Sequence, residues 1–522
     1  MIRHSAMMIG VAVLAVGLVS GCSAGTTSSG AVPAAPAATG AAGPAAPGDT
    51  QDNSWRYVPL DQQEEYDDSP ETPFKDVATS PLSTFSSDVD TASYSNLRRQ
   101  INQGVAPEGV RIEELVNYFD YDYPAPPADA ADPFTVTAEV ADCPWAPDHQ
   151  LAMIGVQATR ALPTTAGNNI VFLIDVSGSM DSPDKLPLLA DSFSLLVDAL
   201  GDEDVVSIVT YAGTNRVAAD SVPGSDHKKL KRIIGNLSAG GSTGGAAGLQ
   251  TAYELAEKNY IDGGNNRVIL ATDGDFNVGP STDEQMKDMI EKARDSGVCI
   301  SVLGFGTGNL KDSKMEIIAD YGNGNYAYID TLNEAQKVLV DEFDSTMFVV
   351  AQDLKLQVEF NPATVTRYRL IGYDNRRLEN EDFANDTKDA GDVGAGHSVT
   401  AFYELVPADG EPGSSTLKYS DTTYGTSSDL FTVAVRYKDP GAQESTLVET
   451  PVGPERYTAT PSADFRFASA VTEFGLIVTG SAYKGEASLN SVRDRASKAL
   501  GEDPYGLRAE FVSLVKQYDR LR

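Results

Sequence analysis

Apolar residues along this chain follow two patterns, and the pattern changes by region. In the middle, short unbroken apolar runs recur: Ile170-Val171-Phe172-Leu173-Ile174, Val205-Val206-Ser207-Ile208-Val209, Val268-Ile269-Leu270-Ala271 and Val298-Cys299-Ile300-Ser301-Val302-Leu303. A run without polar alternation reads as a strand covered on both faces, as in a parallel sheet. Between the runs the period becomes helical. Leu189, Phe193, Leu196, Val197 and Leu200 form one apolar stripe, further helices are expected at 228–237, 244–260 and 285–293, and 216–222 reads as a short edge strand. Strands alternating with helices over about 180 residues predict a doubly wound α/β sheet. Right-handed crossovers then let the first and fourth strands lie side by side where the strand order reverses.

On either side of this region, alternation replaces continuity. Segments 134–140, 150–158, 354–360, 365–371, 399–405 and 430–437 read as half-buried antiparallel strands. Strands of that kind on both flanks predict that the α/β domain is inserted in, or flanked by, a β-sandwich; nearby domain termini make insertion feasible. Helices are expected at 94–102 and 109–119, and again in the tail at 463–479, 487–500 and 507–521. The predicted organisation is a helical segment at 83–130, flanking strands at 131–165, the α/β domain at 166–348, and a β-rich then helical domain at 349–522.

The chemistry sits at the ends of the apolar runs. Ile174 leads into Asp175-Val176-Ser177-Gly178-Ser179, and Ala271 leads into Thr272-Asp273-Gly274-Asp275. Between them lies the glycine-rich loop Gly240-Gly241-Ser242-Thr243-Gly244-Gly245. Ligands of open α/β sheets bind beyond the carboxyl ends of the strands. Carboxylates and hydroxyls gathered there suit a hard divalent cation, most naturally Mg²⁺.

Together these three segments resemble the metal-ion-dependent adhesion site of von Willebrand factor type A domains. The resemblance implies one Mg²⁺ (or Mn²⁺) surrounded by Asp175, Ser177, Ser179, Thr243 and Asp273, with Ser242 a rival to Thr243. It also implies a Rossmann-like fold, and a partner protein whose carboxylate replaces a metal-bound water. Asp275 is expected to shape its loop rather than serve as a general base.

The amino-terminal stretch bears on where such a domain works. Arg3 and His4 precede an apolar run from Met7 to Val19, too short to span a bilayer and built like a secretory signal. Val19-Ser20-Gly21-Cys22 resembles a bacterial lipobox, which implies a signal peptide at 1–21, cleavage before Cys22 and lipidation of its sulfur. Residues 23–50 are Ala, Gly, Pro, Ser and Thr with almost no large apolar side chain, a composition that cannot offset its ordering entropy. A tether is therefore expected over 22–82; its first part, as a flexible coil, would span on the order of 30 Å. This layout resembles bacterial lipoproteins that carry a von Willebrand A domain between family-specific segments, most specifically in the five-residue metal pattern and then at 83–94 and 386–404.

Charge and cysteine content narrow the partners. Seventy-five Asp and Glu against forty Lys and Arg leave a formal charge of −35, which repels nucleic acid and anionic lipid. With Cys22 acylated, Cys143 and Cys299 remain, and a strand position for Cys299 makes free thiols the expectation. Asp88 and Asp90 read as caps of the following helix. Asp386, Asp389 and Asp392, at spacing three on a glycine-containing loop, form a candidate Ca²⁺ site whose alternative is a solvated acidic turn.

Enzyme signatures are sparse. Ser182-Pro183-Asp184-Lys185 and Ser481-Ala482-Tyr483-Lys484 match Ser-x-x-Lys but have no Lys-Thr-Gly or Ser-Asp-Asn companion. The four histidines, His4, His149, His227 and His397, are scattered. The resemblance therefore implies a binding protein, not an enzyme. It would be an extracytoplasmic lipoprotein, lipid-anchored to a bacterial membrane, that engages a protein through the metal in adhesion or scaffolding. The alternative is a cell-envelope enzyme or a solute-capture lipoprotein that uses the A domain for targeting.

Overall fold

The computed structural model describes residues 64, 66, 70–87, 90–127, 129–160, 166–242, 245–274, 283–308, 310–388, 390–408 and 427–522. The expected signal peptide, Cys22 and most of the expected tether lie outside these residues. Before the α/β domain come β1 (Lys75–Asp76), β2 (Leu82–Ser86), α1 (Ala92–Gln103), α2 (Ile112–Asn117), β3 (Phe134–Asp142) and β4 (Gln150–Ala158). The α/β domain opens with β5 (Asn168–Asp175), α3 (Leu186–Ala199), β6 (Val205–Tyr211), β7 (Asn215–Pro223), α4 (His227–Ile234) and α5 (Gly245–Lys258). It continues with β8 (Asn265–Thr272), α6 (Asp283–Asp295), β9 (Cys299–Phe305), α7 (Asp312–Tyr321), β10 (Tyr326–Ile329), α8 (Leu332–Gln336) and α9 (Phe343–Met347). Strands β11 (Val349–Phe360), β12 (Val365–Ile371), β13 (Arg377–Leu378), β14 (Gly391–Gly394), β15 (Ser398–Pro407), β16 (Phe431–Lys438) and β17 (Thr446–Val452) follow. Helices α10 (Ala463–Val478), α11 (Leu489–Ser497) and α12 (Leu507–Leu521) end the chain.

The central sheet has the order β10-β9-β8-β5-β6-β7, parallel except for the β6–β7 pair. Its middle strand shows why the apolar run is unbroken. Ile170, Phe172 and Ile174 face one way onto Leu189, Phe193 and Leu196 of α3, with Phe172 and Phe193 stacked at 4.3 Å. Val171 and Leu173 face the other way onto Leu249 and Ala252 of α5. Successive side chains of a strand point to opposite faces, so a strand covered twice must be apolar at every position. Gly248 lets α5 approach closely: a Cβ there would lie 2.9 Å from Tyr211 Cβ and 3.2 Å from Leu173 Cδ1.

The domain is inserted in an antiparallel sandwich that neither flank completes alone. One sheet runs β1-β12-β15-β4-β3; the other runs β13-β2-β11-β16-β17, with β14 also on β11. In the first, β4 from before the insertion pairs with β15 from after it, Ile154 opposite Ala401. In the second, β2 pairs with β11, Phe85 opposite Leu356. The inner faces meet through Phe85, Ile154, Leu356, Tyr368, Tyr403 and Phe431. Helices α1 and α2 pack with α10, α11 and α12 into a separate core that includes Leu97, Leu115, Phe474 and Phe511. Fold class is thus as the hydrophobic pattern predicts: a doubly wound, mostly parallel sheet set in a β-sandwich, with a helical tail.

Several details differ. Within the stretch expected as tether, β1 pairs with β12 and Val77 is buried. Within the stretch expected to be helical, β2 lies between β13 and β11, because its small hydroxyl side chains find partners far along the chain. Asp88 lies outside the described residues, Thr91 rather than Asp90 is the N-cap residue of α1, and the Asp90 carboxylate accepts from Tyr326 N at 2.8 Å and from Arg376 Nη2 at 3.3 Å. The start of α1 is met instead by Glu114, whose Oε2 accepts from Ser93 N at 2.9 Å. Cys143 and Cys299 carry free thiols, and burial pushes the Cys143 thiol up to about 12. Among the described residues no helix is long and apolar enough to cross a membrane.

Buried ion pairs fasten the α/β domain to its surroundings. Arg98 of α1 meets Asp330 and Glu334, the latter at 2.7 Å. Arg111 reaches Asp312 at 2.7 Å, and Arg376 reaches Glu316 at 2.8 Å and Asp320 at 2.6 Å. Removing one partner of such a pair strands a desolvated charge and typically costs about 3–5 kcal/mol.

Glu113 in α2 is buried, and burial, then the neighbouring Glu114, pushes its carboxyl up to about 7, against the weaker pull of Arg111. A carboxyl raised on folding contributes stability that is fully present below about pH 4.5 and lost as pH rises through about 7. Glu113→Gln removes that loss. Urea unfolding is expected to show the variant gaining on wild type between pH 4.5 and pH 8, by on the order of 3 kcal/mol at most. A gap between the two proteins that stays constant across this range would refute the assignment.

Candidate metal centre

Strand order places the predicted residues. Chain continues from β5 to β6 on one side and returns to β8 on the other, so the strand order reverses between β5 and β8. Ile174 pairs with Ala271, which sets Asp175 and Asp273 on the same carboxyl rim. Both are buried.

The turn after β5 is held by its own side chains. Asp175 Oδ1 accepts from Ser177 N at 2.8 Å, the usual way an Asp closes a turn two residues on. Val176 N still donates to Tyr211 O at 2.9 Å, so the backbone keeps its place in the sheet one residue past the strand. Ser177 is buried, Ser179 is half-buried, and their hydroxyl oxygens are 3.0 Å apart. Gly178 N donates to Gly241 O at 3.0 Å and Gly240 N to Val176 O at 2.8 Å, which staples the first loop to the glycine-rich loop. Ser242 is exposed at the end of that loop, whereas Thr243 lies outside the described residues.

The third loop is joined to the first through Thr272. Its hydroxyl donates to Asp175 Oδ2 at 3.3 Å and accepts from Gly274 N at 3.2 Å. Asp273 Oδ2 accepts from Lys185 Nζ at 2.8 Å. Asp275 lies outside the described residues. Burial pushes the Asp175 carboxyl up to about 6, against the lowering effect of the Ser177 and Tyr211 hydrogen bonds, and the Asp273 charge adds to the rise.

The structure therefore brings together Asp175, Ser177, Ser179 and Asp273 of the five predicted ligands. Thr272, Tyr211 and Lys185 are additional members that the sequence reading did not assign to this site. Thr272 and Tyr211 carry a signal in retrospect: one precedes Asp273, and the other pairs with Asp175 across the sheet. The oxygen donors fit a hard divalent cation, and two buried carboxylates on one rim call for positive charge. Among the described residues no three His, Cys, Asp or Glu side chains form a metal-binding group; the centre is part carboxylate and part hydroxyl.

The candidate calcium loop is resolved differently. Asp386 accepts from Ser445, while Asp392 accepts from Asp353 N at 3.2 Å and Asn323 Nδ2 at 3.1 Å. Lys438 Nζ occupies this neighbourhood, donating to Asp386 O at 2.7 Å and to Asp353. Asp389 lies outside the described residues. Asp386 and Asp392 thus serve different partners, and an ammonium supplies the local positive charge.

Comparison with known proteins agrees with the architecture. The family profile of the von Willebrand factor type A domain matches residues 169–342, one described as von Willebrand factor matches 60–153, and one described as the C-terminal part of uncharacterized protein YfbK matches 345–521. Fold and rim together define a von Willebrand factor type A domain protein. Uncharacterized protein YfbK of Escherichia coli (strain K12) is 45% identical over 468 residues, covering 87% of this chain and 80% of that protein, and the chain belongs to the YfbK family. The calcium-activated chloride channel regulator 1 of Bos taurus is 25% identical over 175 residues, 33% of this chain and 18% of that protein. A solved von Willebrand factor type A structure from Catenulispora acidiphila aligns at 16% identity and a TM-score of 0.40, covering 84% of this chain and 90% of that one. Proximal thread matrix protein 1 from the mussel byssus, solved with a zinc-occupied MIDAS motif, aligns at 21% identity and a TM-score of 0.29, over 35% of this chain and 46% of that one. Likenesses of that size carry no argument about this chain's ligand.

Proposed function

We propose that this protein is an extracytoplasmic lipoprotein, lipid-anchored to a bacterial membrane through Cys22, whose A domain binds a protein partner through Mg²⁺ or Mn²⁺. The observation that carries the reading is the convergence of Asp175, Ser177, Ser179 and Asp273 at the reversal point of a parallel sheet. In this reading these side chains hold the ion, directly or through water, and Thr243 completes the set. Hydroxyl ligands leave the ion short of bound negative charge, and Mg²⁺ readily retains water. A carboxylate from the partner exchanges for one such water, so the role is adhesion or scaffolding rather than turnover. Residues 349–522 supply the remaining sandwich strands and the tail helices, which support the A domain.

Metal should stabilise the folded protein, because the ligands converge only there. At a hundred times its dissociation constant a single-site ligand adds about 2.7 kcal/mol. Melting in millimolar Mg²⁺ and in EDTA is expected to separate by several degrees for wild type. Asp175→Ala should abolish the separation, Asp273→Ala nearly so, and Thr243→Val should reduce it while leaving the EDTA melt unchanged. Equal melting of wild type in Mg²⁺, Mn²⁺ and EDTA, with equal partner capture from crosslinked cells in all three, overturns the reading.

The anchor is tested separately. Cys22→Ser is expected to leave the signal unprocessed or to release the protein from membranes, and to remove acyl mass from its amino terminus. Unchanged fractionation with the acyl mass retained contradicts the anchor.

A further inference from the structure

The rim already holds a cation of its own. Lys185 is buried at the turn that opens α3, and its ammonium donates to Asp273 Oδ2 at 2.8 Å. The side chain reaches the rim through a slot in the turn after β9. Gly306 in that turn has φ +72°, and a Cβ on it would lie 2.1 Å from Lys185 Cγ and 2.5 Å from Cε. Tyr328 of β10 fixes the turn, its hydroxyl donating to Gly306 O at 2.6 Å. Glycine is required here twice over: for the left-handed backbone and for the space that the lysine stem fills.

We propose that Lys185 is a positioning residue that loosens the grip of the rim on its divalent ion and leaves the loaded centre positively charged, so that a partner carboxylate is drawn to it. The proposal rests on the reading of this rim as a Mg²⁺ or Mn²⁺ site. The charge count is short. Asp175 and Asp273 contribute two negative charges and Lys185 one positive charge, so the three side chains sum to one negative charge. A divalent ion then carries the centre to a net charge of plus one. Without Lys185 these side chains and the ion would sum to zero, the ion would compete with no ammonium for Asp273, and the pull on an incoming anion would be weaker. Away from bulk water such single charges act strongly over a few ångströms. Lysine suits the role because its ammonium is a compact point charge on a thin stem that fits the slot at Gly306.

The test uses the full chain and Mn²⁺ alone, with free Mn²⁺ followed by its electron paramagnetic resonance signal. Lys185→Gln keeps a hydrogen-bond donor without the charge, Lys185→Met removes both, Lys185→Arg keeps the charge, and Gly306→Ala closes the slot. Lys185→Gln, Lys185→Met and Gly306→Ala are expected to bind Mn²⁺ about tenfold tighter than wild type or better, and Lys185→Arg within about threefold of it. Circular dichroism identifies any variant that fails to fold, and the remaining variants decide. A second arm adds acetate to the Mn²⁺-loaded protein and reads displacement of bound water by proton relaxation. Lys185→Gln should need about threefold more acetate than wild type or beyond. Folded Gln and Met variants with wild-type or weaker Mn²⁺ affinity, or an unchanged acetate midpoint, overturn the role of Lys185 while the metal site stands. Wild type that binds no Mn²⁺ overturns the metal site itself.

Discussion

Two carboxylates held side by side away from water set the terms for this molecule. Asp175 and Asp273 share one rim because the chain reverses its direction of growth between β5 and β8, and neighbouring strands must end near each other. Burial, with the Asp273 charge adding to it, drives the Asp175 carboxyl toward its neutral form. The surrounding residues offset that cost with an amide from Ser177, hydroxyls from Thr272 and Tyr211, and the ammonium of Lys185. A rim whose acidic groups are this well supported, with two serine hydroxyls beside them, is organised around positive charge. The proposed metal, and the carboxylate it would accept from a partner, follow from that organisation.

The remainder of the chain holds the rim still. The chain enters the α/β domain at Asn168, where β5 begins, and leaves it at Met347, whose sulfur lies 3.3 Å from Asn265 at the start of β8. Both crossings therefore lie at the amino edge of the sheet, opposite the rim. The sandwich closes only when β2 and β4 meet β11 and β15, so the inserted domain is bracketed by strands that pair with each other. Arg98, Arg111 and Arg376 then tie α7 and α8 to the helical core and to the turn before β13. Each tie is a buried charge pair, a type of contact that contributes little net stability when whole but is costly to halve.

How much of this was legible from the sequence depended on whether a segment carries its own signal. The run from Ile170 to Ile174 declares itself because α3 and α5 cover both faces. Strand β4 was expected at 150–158 and is found there, since six of its nine residues are large and apolar or pack on the sandwich core. Strand β2 was missed: Leu82-Ser83-Thr84-Phe85-Ser86 has two large apolar residues, and its hydroxyls bond Tyr403, Asn380 and Gly391 far along the chain. Asp90 has the local context of a cap, but its carboxylate is taken by Tyr326 and Arg376. At the rim, the spacing of Asp175, Ser177 and Ser179 is a local motif and was readable. Lys185 was not, because its importance comes from Asp273 and Gly306, which only the fold brings to it.

The central claim is that a divalent ion sits on this rim, and diffraction at the manganese absorption edge from crystals grown with Mn²⁺ tests it most directly. The account expects one strong anomalous peak at the carboxyl edge of β5, about 2.2 Å from the hydroxyl oxygens of Ser177 and Ser179. A well-ordered rim with no peak there, or manganese bound only elsewhere on the molecule, would contradict it.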